Sequence, residues 1–133
     1  MRGSRARVLV PLAFMALIFV LSSIPGTDRP DEFRLDDPDT WLSSPLQNAL
    51  HIPVYGVLVV SWWWSLIPWS RSARLQAVAA FLIAAGYGVL DEFHQMTVPG
   101  RTSSVEDVVF NLIGVAAGGW LFGYVSRTRA ENS

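Results

Sequence analysis

Cysteine is absent from this chain, which excludes a disulfide framework, a thiol nucleophile and any sulfur-ligated metal site. Lysine is absent too: all ten basic residues are arginine. Charged residues make up only 16% of the 133 positions. Residues 8–24 and 46–67 carry no Asp, Glu, Lys or Arg at all. A water-soluble helical bundle needs a polar face on each helix, so that class is excluded. What remains is apolar. Hydrophobic residues are 51% of the chain and fall into long blocks, approximately residues 8–24, 46–67, 75–96 and 105–125. Each block approaches the ~17–25 residues that cross a hydrocarbon core as a helix. The third reaches that length only by running through Asp91 to Met96. The expectation is an all-α, polytopic four-transmembrane-helix bundle, forming a single domain over residues 1–133.

The net charge of -1 hides a segregation that sets the orientation. Arg2, Arg5 and Arg7 precede the first block; Arg71 and Arg74 separate the second from the third; Arg127 and Arg129 follow the fourth. Arginine excess in short loops marks the cytoplasmic face. Both termini are therefore expected in the cytoplasm, with the loop at residues 25–45 and the short Thr97–Ser104 connection facing outward. Trp62, Trp63, Trp64, Trp69, Trp120 and Tyr124 then map to the inner interface, where amphipathic rings favour the headgroup level. The first block starts like a signal peptide. However, no small-x-small cleavage site follows it, and Leu21-Ser22-Ser23-Ile24-Pro25 reads as a helix end, so it is expected to remain as a span. The outer loop carries Asp28, Asp31, Glu32, Asp36, Asp37 and Asp39, whose spacing matches no calcium loop.

Most of the chemistry sits at the ends of the blocks. Asp91, His94 and Gln95 lie three and four residues apart and share a helix face, with Glu92 about 100° away. Gln47 and His51 share a face near the outer end of the second block, and Pro53 is expected in that helix's first turns, where a missing N–H costs least. Ser103 with Glu106 fits a capping box for the fourth helix, which leaves Asp107 for other work. Asp107, Asn111, Gly114 and Gly118 follow at intervals of four, three and four and form one stripe. The two glycines permit close helix approach, and Gly86 and Gly88 on the third block suit the same contact. Charged groups cost roughly 2.5–3.5 kcal/mol each at a bilayer centre, so these side chains belong at the outer end. There Gln47, His51, Asp91, Glu92, His94, Gln95, Arg101 and Asp107 are expected to converge on one extracytoplasmic cleft, with Asn111 a turn deeper. Arg101 can neutralise Asp91, Glu92 or Asp107 there, or engage a ligand.

The run Asp91-Glu92-Phe93-His94-Gln95, then Pro99-Gly100-Arg101, Ser104, Asp107, Asn111, Gly114 and Gly118, resembles the VanZ-like family of small bacterial membrane proteins. Ser22-Ser23-Ile24-Pro25, His51 and Tyr55 also look like its pattern. The family takes its name from a protein linked to teicoplanin resistance. The resemblance implies a multi-pass cell-envelope protein that influences how lipoglycopeptides meet the surface.

Two functions follow. In the first, the cleft binds a lipid or cell-wall headgroup, with Gln95, Arg101, Asp107 and Asn111 holding the ligand. In the second, the protein is an enzyme on lipid-linked or headgroup substrates, with His94 or His51 as general base and Asp91 and Glu92 orienting it or, in a metal-assisted version, holding a divalent ion. The two histidines and the carboxylates match no familiar metal motif, so no metal or cofactor is expected. A proton-coupled carrier is disfavoured, because the inner halves of the spans lack polar groups. Membrane lipids are the expected partners.

Overall fold

A computed structural model describes residues 6–25, 44–101 and 105–131, the side chains of 44–49 and 129 excepted. The described chain is all-α: α1 (Leu9–Ser22), α2 (Ser44–Leu66), a single 3-10 turn (Ile67–Trp69), α3 (Ala73–Gln95) and α4 (Val105–Glu131). Leu50–Trp69, Ala73–Gln95 and Val105–Thr128 are each long and apolar enough to cross a membrane. The apolar α1 has 14 residues, ~21 Å at 1.5 Å per residue, and is the short member.

Local chemistry sets the helix ends. α1 stops where Ser22 and Ser23 turn their hydroxyls back onto the Ile18 and Phe19 carbonyls and Pro25 disfavours a helical residue before it. α2 starts at Ser44-Pro45, proline being preorganised for a first turn. Pro53 falls in the third turn of this helix, far enough in that the helix loses one interior donor there. Ser72 caps α3 by accepting from the Leu75 N–H at 3.3 Å. After α3, the Arg101 N–H donates to the Val98 carbonyl across Pro99 and Gly100, with φ 71° at Gly100. Proline second and a left-handed glycine third are the signature of a type II turn. Ser103 and Ser104 lie outside the described residues, so the expected capping box does too.

The helices alternate in direction, and α2 touches each of the other three. Its closest neighbour is α4, by way of glycines. A methyl group on Gly118 would sit 2.5 Å from the Gly56 carbonyl oxygen and 2.7 Å from its Cα, and one on Gly114 would strike the Ile52 backbone. The Gly114/Gly118 stripe therefore faces α2 rather than α3, and Gly86, expected to join it, meets nothing within 4 Å. Gly88 does take part, making room for Tyr55 and Asn111. Around this seam, Tyr55, Leu58, Val59 and Trp62 of α2 pack with Ala80 and Ala84 of α3, Val115 of α4 and Ile18 of α1. Small residues at such contacts let backbones approach where lipid removes the hydrophobic drive between helices. Leu82, Leu90, Val105, Leu121 and Leu9 are among many large apolar side chains left on the outside, the surface expected of helices solvated by acyl chains. Trp64, Trp69, Trp120 and Tyr124 are also exposed, whereas Trp62, expected at the interface, is turned into the core. At that end of the bundle Arg7 lies over the Trp64 ring, 4.8 Å from its centroid.

Candidate functional site

The alternating helix directions bring the C-terminal ends of α1 and α3 together with the N-terminal halves of α2 and α4, and the polar residues of all four meet there. Asp91 and Gln95 of α3, Glu92 beside them, and Asp107 and Asn111 of α4 are each 4% exposed or less. His51, His94 and Arg101 are the partly exposed members. Asp91 is the junction. Its Oδ2 accepts from the Tyr55 hydroxyl of α2 at 3.0 Å and from Gln95 Nε2 one turn along at 3.2 Å. Its Oδ1 lies 2.6 Å from Ser22 Oγ of α1, whose single hydrogen is shared with the Ile18 carbonyl. Side chains of three helices thus meet at one carboxyl group.

Glu92 organises the second knot. Asn111 Nδ2 donates to Glu92 Oε1 at 3.2 Å and to the Gly88 carbonyl at 3.4 Å. Asn111 Oδ1 is 2.6 Å from His51 Nδ1. His51 Nδ1 also stands 3.8 Å from Glu92 Oε1, an ion pair when the imidazole is protonated. Gly88 allows this knot: a Cβ there would come within 3.2 Å of the Asn111 Cβ and 3.1 Å of the Tyr55 ring.

His94 belongs to neither knot. Its ring stacks on Phe19 with centroids 4.4 Å apart, and Nε2 is 2.9 Å from Ser23 Oγ. Arg101 has a different partner from the carboxylates expected for it. Delivered by the type II turn, its Nε donates to the Ile24 carbonyl at 3.3 Å and Nη2 to the Leu21 carbonyl at 3.2 Å. It makes no ion pair with a carboxylate among the described residues. A guanidinium on the last carbonyls of a helix satisfies orphan acceptors and complements the macrodipole. The Ser22–Asp91, Ser23–His94 and Arg101 contacts, with Tyr87 donating to the Met15 carbonyl at 2.6 Å, tie α1 to the bundle.

The convergence expected from the sequence is thus found for His51, Asp91, Glu92, Gln95 and Asn111. His94 and Arg101 lie at the same end but are turned to α1. Asp107 is buried on the same face of α4 as Asn111. Gln47 is within α2, with its side chain outside the described residues. Residue-by-residue reading passed over Ser22, Ser23 and Tyr55 as partners. Tyr55 was detectable, because it follows His51 by four residues and so shares its face. Among the described residues no group of three or more histidines and carboxylates is placed to hold a metal ion.

These features define an all-α integral membrane protein with a polar, hydrogen-bonded end built from all four helices. Residues 4–126 match the VanZ/LLP1 family, and the chain belongs to it. No curated protein and no solved structure matches the chain.

Proposed function

We propose that the polar end faces away from the cytoplasm and binds the headgroup of a lipid or of a lipid-linked cell-wall component. The arginine distribution supports this orientation, placing both termini inside. One observation carries the binding reading: Arg101 brings a guanidinium to this end with no carboxylate partner among the described residues. Its Nη1 donates to no described residue, since the two carbonyl bonds use Nε and Nη2. Guanidinium is suited to phosphate. In this reading Asp91, Gln95 and Asn111 shape the floor of the site, and Arg101 meets the anionic group. An effect on lipoglycopeptides such as teicoplanin would follow from occupancy of that headgroup.

The test is native mass spectrometry of the full-length protein released from membranes. A retained anionic phospholipid or lipid-linked wall intermediate is expected on the wild type, with at least ten-fold lower occupancy in Arg101→Ala. Equal occupancy, or none in either protein, contradicts the reading.

A second reading is an enzyme on the same class of substrate. It is favoured by the His51 ring, which is held through Nδ1 by Asn111, itself held by Glu92. A base oriented by a second group that is itself anchored is the arrangement of acid–base and nucleophilic catalysis. Turnover of a bound lipid that His51→Gln abolishes while the lipid stays bound would establish it.

A further inference from the structure

His51 and His94 differ in their hydrogen-bond partners and reach them through opposite ring nitrogens, Nδ1 and Nε2. Asn111 Nδ2 faces two acceptors, Glu92 Oε1 and the Gly88 carbonyl, so the amide nitrogen must lie there and Oδ1 must face His51. An amide oxygen cannot donate. The 2.6 Å contact therefore requires a hydrogen on His51 Nδ1. In the neutral ring that leaves Nε2 as the nitrogen with a lone pair. At His94 the count runs the other way. Ser23 spends its only hydrogen on the Phe19 carbonyl at 2.6 Å, so at 2.9 Å its oxygen accepts from His94 Nε2. His94 thereby acts as a fastener for α1. The His51 ring reaches Asn111 at 2.6 Å but stands 3.8 Å from Glu92, beyond hydrogen-bond length. Its direct partner is a neutral amide rather than a carboxylate.

We infer that Asn111 is a positioning residue that locks His51 with its hydrogen on Nδ1, so that Nε2 accepts a hydrogen bond from a headgroup bearing a hydroxyl or an ammonium group. This rests on the headgroup-binding reading and adds to it the chemistry of the ligand. Phosphate alone does not satisfy the site, because His51 offers it a lone pair. A headgroup that brings its own donor does. Glu92, 3.8 Å from Nδ1, adds attraction for the imidazolium if the donor's proton passes to Nε2.

Two measurements separate the inference from the reading beneath it. The first is nitrogen-15 NMR of the full-length protein with labelled histidine in bilayers, with His94→Gln to assign the signals. His51 is expected to show a protonated Nδ1 and an unprotonated Nε2, and His94 the reverse. An Nε2–H tautomer at His51, or protons on both nitrogens, overturns the inference without touching headgroup binding. The second uses nanodiscs containing lipid pairs of equal charge that differ in the donor. These are phosphatidylglycerol against phosphatidylmethanol, and phosphatidylethanolamine against phosphatidylcholine. At least ten-fold preference for the donor-bearing member of one pair is expected, and which pair shows it distinguishes hydroxyl from ammonium. The preference is expected to vanish in His51→Phe while binding itself persists. Equal binding within both pairs overturns the donor requirement alone. Binding of no lipid overturns the headgroup reading and the ligand half of the inference with it.

Discussion

Ser22 Oγ, at the last turn of α1, lies 2.6 Å from Asp91 Oδ1, near the last turn of α3 and 69 residues away along the chain. The same carboxyl holds Tyr55 and Gln95 on its other oxygen. Its removal should therefore cost more than any one of its bonds. Ser22→Ala deletes a single interhelical bond, and about 0.6 kcal/mol is expected. Asp91→Ala leaves three donors facing a void, and an unsatisfied buried polar group costs about 1–3 kcal/mol. Unfolding in mixed micelles should show a loss of at least about 2 kcal/mol for Asp91→Ala. Equal, small losses for the two variants would mean that Asp91 is not a junction.

The α2–α4 seam gives a paired prediction. In Gly118→Ala the added methyl lies 2.5 Å from the Gly56 carbonyl oxygen, so backbone has to move. Overpacking of this kind costs about 1–3 kcal/mol. Gly86→Ala meets nothing within 4 Å and replaces a poor helix former, so stability should hold or rise. Thermal unfolding of the two variants in one detergent checks the difference: Gly118→Ala should lower the midpoint and Gly86→Ala should not.

The type II turn after α3 positions Arg101, which predicts different effects for two nearby changes. Gly100→Ala forces a side chain into a left-handed conformation, at φ 71°, for about 1–2 kcal/mol. Arg101→Lys keeps the charge but loses the fork that reaches the Leu21 and Ile24 carbonyls together. Proteolysis near residue 25 should accelerate in both. Retention of an anionic lipid should survive in Arg101→Lys and fail in Arg101→Ala. Loss of lipid in Arg101→Lys as well would mean that the fork, and not the charge, holds it.

Much of the fold was legible because membrane helices are written in simple terms: length, absence of charge, and spacing on a face. Asp107, Asn111, Gly114 and Gly118 read as one stripe, and the stripe does face the bundle. Its partner was not legible. The glycine spacing says that a backbone approaches, but not whether the backbone belongs to α2 or α3. Trp62 was placed with its tryptophan neighbours because sequence proximity hides which of three consecutive rings points inward. Arg101 misled for a different reason. Carboxylates are visible in a sequence as charge partners, whereas the unpaired carbonyls at the end of α1 belong to no residue type. The histidines looked alike until Ser23 and Asn111 were seen to occupy opposite ring nitrogens.

The whole account depends on the polar end lying outside the cytoplasm, and the chain offers a direct way to test it. With no native cysteine, Thr97→Cys carries a unique thiol at an exposed position in the turn after α3. Intact cells should be labelled there by a membrane-impermeant maleimide to the same extent as lysed cells. Labelling that appears only after lysis would turn the site toward the cytoplasm and contradict the proposed envelope-facing headgroup site.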